Sequence, residues 1–218
     1  MTFALHTQAD LEDAVRKLAH RDTRLRSILD RAGMPTLRRQ QSGFAGLAGI
    51  VVGQQLSTAS ASAIWQRLTS AYDPFDHDVF RGARSDRLGR LGLSAAKIQT
   101  LKSIAREIAA KRLDLDALAD RDAKEAHSVL TALHGVGPWT ADVYLLFCLG
   151  HLDAWPAGDL ALQESARIGL GLNERPSAKG METLAEKWRP LRGAAAHLWW
   201  AFYKEVKKRD AVPVSSPG

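Results

Sequence analysis

A Gly-Val-Gly link, Gly135-Val136-Gly137, sits between two stretches of helical periodicity and constrains this chain more than any other feature. Upstream, residues 122–133 place Ala126, Val129, Leu130 and Leu133 on one face of a helix. Downstream, Pro138 suits the first turn of a second helix, where its missing N–H has no partner to lose. Ala141, Val143, Leu145, Leu146 and Leu149 continue that second pattern. So short a link forces a tight helical hairpin. It predicts Val136 turned inward as a plug, and two glycines that let the backbone come close to something else. Amides at a helix start, with the positive end of its dipole, form an anion site, and a phosphate is the obvious anion. The plain alternative is an αα-corner whose glycines serve geometry alone.

The rest of the chain is also helical in pattern. Residues 10–19 and 24–32 read as short amphipathic helices, and Gly33-Met34-Pro35 breaks the second. Residues 44–54 are apolar, with Leu47, Ile50 and Val51 at helical spacing. Ser57 caps the next helix, which runs through Ala61, Ile64, Trp65 and Leu68. Asp73-Pro74 and Gly82 mark a loop region with short helical pieces. Gly92-Leu93-Ser94 then reads as a turn and cap for a long helix, residues 95–111, with Ile98, Leu101, Ile104, Ala105 and Ile108 inward. Asp159 opens a helix carrying Leu160, Leu162, Ala166 and Ile168. Residues 177–188 form another, and Pro190 opens a last one to about residue 208. Residues 211–218, rich in Pro, Ser and Gly, are expected to be frayed. No segment alternates β-branched residues with period two, so the class is all-α.

At 218 residues and 45% hydrophobic, the chain can bury a substantial core as one domain or two intimate lobes. Its net charge of +6 and pI of about 9.7 favour an anionic partner. A single cysteine, Cys148, lies on an apolar helix face and reads as core; it can form neither an internal disulfide nor a cysteine metal cluster. With no signal-peptide pattern and no apolar run near ~20 residues, the expectation is a soluble, intracellular protein, cytoplasmic in a bacterium.

The stretch Leu133-His134-Gly135-Val136-Gly137-Pro138-Trp139-Thr140-Ala141 is followed by Pro156-Ala157-Gly158-Asp159-Leu160. Gly53-Gln54-Gln55-Leu56-Ser57 lies upstream, and Trp188, Pro190 and Arg192-Gly193-Ala194-Ala195-Ala196 lie downstream. These four blocks, in this order, resemble the helix-hairpin-helix (HhH-GPD) DNA glycosylase superfamily, and within it the alkylbase, 3-methyladenine DNA glycosylase II branch. The likeness covers most of the chain, residues 44–203. It implies a two-lobed, all-α glycosylase fold with a central cleft and no N-terminal sheet domain. One lobe would comprise about 1–43 plus 160–210 and the other about 44–159. The hairpin and Asp159 would sit at the cleft mouth.

The resemblance also implies chemistry. Breaking an N-glycosidic bond gives the sugar oxocarbenium character, which a carboxylate stabilises while it orients or deprotonates water. Asp159 matches the family's catalytic aspartate. An Asp opening a helix is also an ordinary N-cap, and the two roles are compatible. The neighbouring position, acidic in several relatives, is Gly158. The target base must be flipped out of the duplex; Gln55 matches the wedge that fills the gap, and Gln54 reads as structural. Trp139 and Trp200 match aromatic positions of the base pocket, where a ring face attracts a cationic alkylated base. Trp65 and Trp188 read as core, and Trp155 and Trp199 are not placed. Backbone groups of Gly135, Gly137 and Trp139 would hold a DNA phosphate. The carbonyls of Thr131, Leu133 and Val136 would bind a sodium or potassium ion. Lys97, Lys102, Arg167, Lys179 and Arg192 are candidate phosphate contacts, Arg192 alternatively an ion-pair partner.

No cofactor is required on this reading, and one cysteine excludes the iron–sulfur cluster of some relatives. The expected partner is double-stranded DNA carrying alkylated bases, with no membrane, bound by a monomer. Bifunctional relatives carry a lysine two residues after the second hairpin glycine. Trp139 stands there, so strand cleavage is not expected. The alternatives are a non-catalytic helix-hairpin-helix DNA-binding module, or a glycosylase for another damaged base.

Overall fold

The computed structural model describes residues 4–210, with side chains to residue 208; the expectation for residues 211–218 lies outside them. Among the described residues there is no strand, only an isolated antiparallel bridge between Ala4 and His151. No described helix is long and apolar enough to cross a membrane. The described residues form two compact units, 4–38 with 151–210, and 39–150. Asp159 therefore belongs with the terminal helices, and the boundaries fall at 38 and 150 instead of 43 and 159.

The first unit contains α1 (Gln8–Arg21), α2 (Thr23–Ala32), α10 (Leu160–Leu170), α11 (Ala178–Ala185) and α12 (Arg192–Asp210). Thr7 and Asp10 form a capping box that starts α1 two residues earlier than the apolar periodicity indicates. Leu11, Val15 and Leu18 bury one face of α1, and Leu25 and Ile28 that of α2. On α12, Ala194, Ala195, Ala196, Leu198 and Trp199 are all buried. The alanine run presents so little side chain that neighbouring helices close around it. Pro190 stays outside this helix, which begins at Arg192. Trp155, Trp188, Trp199 and Phe202 form a row of rings with successive centroids 5.5, 6.0 and 6.1 Å apart. The two unplaced tryptophans are thus core.

The second unit runs from α3 (Gly43–Gly53) through α4 (Thr58–Ala71), α5 (His77–Gly82), α6 (Ser85–Arg90), α7 (Ala95–Ala109) and α8 (Ala123–Thr131) to α9 (Pro138–Tyr144). Helix α3 carries no charge and is buried nearly all round, as a helix apolar on every face must be. Ser57 and Ser94 cap α4 and α7 with their hydroxyls, as expected. Trp65 is only half-buried; its ring meets the edge of Phe75 at 4.9 Å. The apolar run after α9 is not α-helical throughout. Leu145–Leu149 widens into a π-turn closed by Gly150 N–H donating to the Leu145 carbonyl. Within this turn the Phe147 carbonyl accepts from Gln40 N–H at 2.9 Å. Cys148 is buried there, and burial pushes its thiol up to about 12, so it stays protonated and inert.

Asp22 ties the first unit together. Its Oδ1 caps α2 by accepting from Arg24 N–H, while Oδ2 accepts from Trp188 Nε1 at 3.0 Å and pairs with Lys187 at 2.7 Å. Burial opposes its charge, but the Trp188 and Arg24 hydrogen bonds outweigh burial and hold its pKa below the usual range. Its contribution to stability is therefore complete above the unfolded value of about 4 and is lost as the pH falls through the lower folded value. Asp22→Ala should lower unfolding free energy by about 2–4 kcal/mol, from a lost cap and a lost charged hydrogen bond. Asp22→Asn, which keeps the cap, should lose about half as much. Urea melts at pH 7 would show this ordering, and an Asp22→Ala protein as stable as wild type would refute it.

Candidate functional site

Around the hairpin, the two glycines do different work. After α8 the chain closes a turn, with Val136 N–H donating to the Leu133 carbonyl at 3.1 Å, and Val136 is buried as the expected plug. Gly135 has φ +77°, and a Cβ built on it would lie 1.9 Å from Thr100 Oγ1 on α7. Its missing side chain therefore answers a demand inside the unit. Gly137 has an ordinary φ of −85°, and a Cβ on it would meet nothing within 4 Å. Nothing inside the unit requires glycine at 137. It caps α9 without a side-chain acceptor, and Pro138 follows in the first turn as predicted.

His127 crosses the hairpin from α8. Its Nε2 lies 3.8 Å from Asp142 Oδ1, and its ring also bonds the Pro138 backbone. Burial lowers its pKa, so near neutral pH it acts as a hydrogen-bonding group and not as a cation. Neither His127 nor Thr100 carries a signal in the sequence; an isolated His or Thr on a helix points nowhere by itself.

The turn between α3 and α4 exposes Gln55 at φ +56°, a left-handed conformation unusual for a non-glycine residue. Gln54 beside it is structural, as expected. Its Nε2 donates to Thr140 Oγ1 at 2.8 Å and, at 3.5 Å, to the Gly135 carbonyl, tying the turn to the hairpin. Lys97 Nζ donates to the Val52 and Gln54 carbonyls, each at 2.8 Å.

In the unit of the chain termini, Asp159 caps α10. Its Oδ1 accepts from Ala161 N–H and Leu162 N–H at 3.0 Å each, and from Trp200 Nε1 at 3.1 Å. Three donors on one oxygen fix the carboxylate's rotamer. The approach to it is equally fixed: Asp159 N–H donates to the Pro156 carbonyl, and the buried Gln163 amide donates to the Ala157 carbonyl. Trp200 and Trp139 are both partly exposed. The hydrogen bond from Trp200 to Asp159 was not visible in sequence, because 41 residues separate the partners.

Of the five candidate phosphate cations, four are committed elsewhere. Lys97 holds the Val52 and Gln54 carbonyls, Lys102 donates to the Ala83 carbonyl, and Arg167 pairs with Glu164. Arg192 is buried and makes a two-pronged pair with Asp153, its ion-pair alternative. Lys179 is exposed.

Comparison with known proteins converges on one family. A Mycobacterium tuberculosis probable bifunctional transcriptional activator/DNA repair enzyme is 34% identical over 208 residues, covering 89% of this chain and 40% of that protein. The chain thus spans about two fifths of that relative's length. A Schizosaccharomyces pombe DNA-3-methyladenine glycosylase is 31% identical over 165 residues, 73% of this chain and 71% of its own. The structure of a Schizosaccharomyces pombe 3-methyladenine DNA glycosylase in complex with abasic DNA superposes with a TM-score of 0.80 at 26% identity, covering 92% of this chain and 99% of that one. A family model described as HhH-GPD superfamily base excision DNA repair protein matches residues 48–190, which include the Gln55 turn, the hairpin and Asp159, and the chain belongs to that superfamily.

Proposed function

We propose that this chain is a monofunctional DNA glycosylase that hydrolyses the N-glycosidic bond of alkylated bases, 3-methyladenine and related adducts, in base excision repair. The observation that carries the reading is the Asp159 carboxylate, held in one rotamer by three donors at a helix start. A DNA-binding module needs the hairpin and the charge but no such carboxylate. The glycosylase names of the relatives support the same choice.

Chemically, the work is modest. Alkylation at purine N3 or N7 leaves a cationic base with a weakened bond to its sugar. Asp159 stabilises the oxocarbenium character that develops as the bond breaks and is the partner of the attacking water. The hydrolysis balances simply: water oxygen bonds to the anomeric carbon, the cationic base leaves neutral with the bonding pair, and the water's proton passes through Asp159 to solvent. The rings of Trp139 and Trp200 suit a cationic base, and since the Trp200 N–H is taken by Asp159, recognition there falls to the ring face. Gln55, on its exposed left-handed turn, occupies the space of the flipped base. The amides of Gly135, Gly137 and Trp139 meet a phosphate. The Thr131, Leu133 and Val136 carbonyls would hold a sodium or potassium ion, which would add positive charge to the phosphate site, and no other cofactor is required.

Asp159→Asn should slow single-turnover base release by on the order of 10²–10⁴ with DNA affinity nearly unchanged, because Asn still caps α10. Trp200→Phe, which keeps an aromatic ring but loses the N–H, should cost roughly tenfold. The assay is chromatographic release of free bases from randomly alkylated DNA, and a near-normal Asp159→Asn rate would sink the assignment.

Gly137→Val should fold normally, since its side chain meets open space. It should nonetheless weaken binding to undamaged and damaged duplex alike, because the contact reads neither sequence nor lesion. Wild-type binding should weaken steeply with salt. Fluorescence anisotropy at two salt concentrations measures both; normal binding by Gly137→Val would remove the phosphate role.

Water, and not an amine, should be the nucleophile, because Trp139 occupies the position of the lysine in bifunctional relatives. Borohydride added during turnover should trap no protein–DNA adduct, and product strands should break only after hot alkali. An adduct in stoichiometric yield would overturn the monofunctional reading.

A further inference from the structure

Lys97 sits where a lysine is electrostatically out of place. It lies in the first turn of α7, at the positive end of that helix's dipole, and it is partly buried. Burial pushes its ammonium below the usual lysine range. Two features offset these costs. Nζ donates to the Val52 and Gln54 carbonyls at 2.8 Å each, one in the last turn of α3 and one on its C-cap residue. Helix α3 has no basic residue of its own in its last turn, so Lys97 supplies the charge that its negative end lacks.

The location of those carbonyls matters more than their number. Gln54 is gripped at both ends, its carbonyl by Lys97 and its side-chain amide by Thr140. The next residue is Gln55, exposed at φ +56°. A non-glycine residue in that conformation persists only where its surroundings over-determine it. Leu56 N–H closes the turn on the Gly53 carbonyl at 3.3 Å, a weak bond by itself. The shortest bonds that restrain the turn next to Gln55 are the two clamps on Gln54, each at 2.8 Å.

We infer that Lys97 is the positioning residue of the wedge: its grip on the Val52 and Gln54 carbonyls holds the turn that presents Gln55 to DNA. The inference rests on the wedge role proposed above for Gln55. It places Lys97 out of contact with phosphate and out of the chemistry, and makes it act only through Gln55.

Lys97→Met, which keeps length but loses the donor, is the test variant, with Lys97→Arg as the conservative rescue. Amide hydrogen exchange of the DNA-free protein reads the turn directly. Exchange across residues 53–57 should quicken on the order of tenfold in Lys97→Met while the rest of residues 39–150 is unchanged. Lys97→Arg should restore most of the protection. In a second arm, 2-aminopurine opposite an abasic analogue reports insertion of a side chain into the duplex. Lys97→Met and Gln55→Ala should each reduce that signal, and slow excision of an alkylated base, by roughly 10-fold or more. The double variant should be no worse than the weaker single one, because both remove one function. Unchanged exchange in the turn, or single effects that multiply in the double variant, would overturn the inference. A wild type that gives the insertion signal but releases no base would instead defeat the excision reading and leave the positioning result standing.

Discussion

The unit of residues 39–150 depends on how closely the hairpin sits on α7. Gly135 lies against Thr100 with no room for a single carbon, and it does so at a φ that a side chain would resist. That contact sets the height of the hairpin above the helix. The height in turn decides whether Gln54 can reach both the Gly135 carbonyl and the Thr140 hydroxyl. The turn after α3 and the start of α9 are therefore one mechanical assembly. Their shared polar groups are satisfied by side chains where the helices run out of backbone partners.

Much of this architecture was legible in the chain. Ser57 and Ser94 stand at helix starts and cap them, since a short side-chain oxygen before an apolar run has few other uses. Val136 is buried as its place between two glycines demands. The limits were just as physical. Periodicity marks the apolar run after Pro138 but not its π-turn, because a single extra residue per turn leaves the buried pattern intact. Pro190 reads as the opening of α12, but the helix begins two positions later, at Arg192.

At the candidate site, what sequence hid was long-range and polar. Asp159 was legible as both cap and carboxylate. The Trp200 N–H that fixes it was not, since Trp200 read only as a ring for a base. The glycines of the hairpin read as a matched pair, whereas one answers Thr100 and the other opens outward. Cationic residues were the poorest guide. Charge predicts a polyanionic partner for the whole molecule, but four of the five lysines and arginines singled out serve carbonyls or carboxylates within their own unit.

The double duty proposed for Asp159 has an evolutionary consequence. Oδ1 is engaged with two amides of α10, a task that an asparagine oxygen performs as well. The fold therefore places no barrier in the path of a lineage that abandons chemistry. Exchange of one oxygen for one nitrogen leaves every helix capped and the hairpin untouched. Under the proposed role, a sequence that cleaves the bond and one that only binds DNA can be neighbours in sequence space, connected by a step that selection for stability alone would not see.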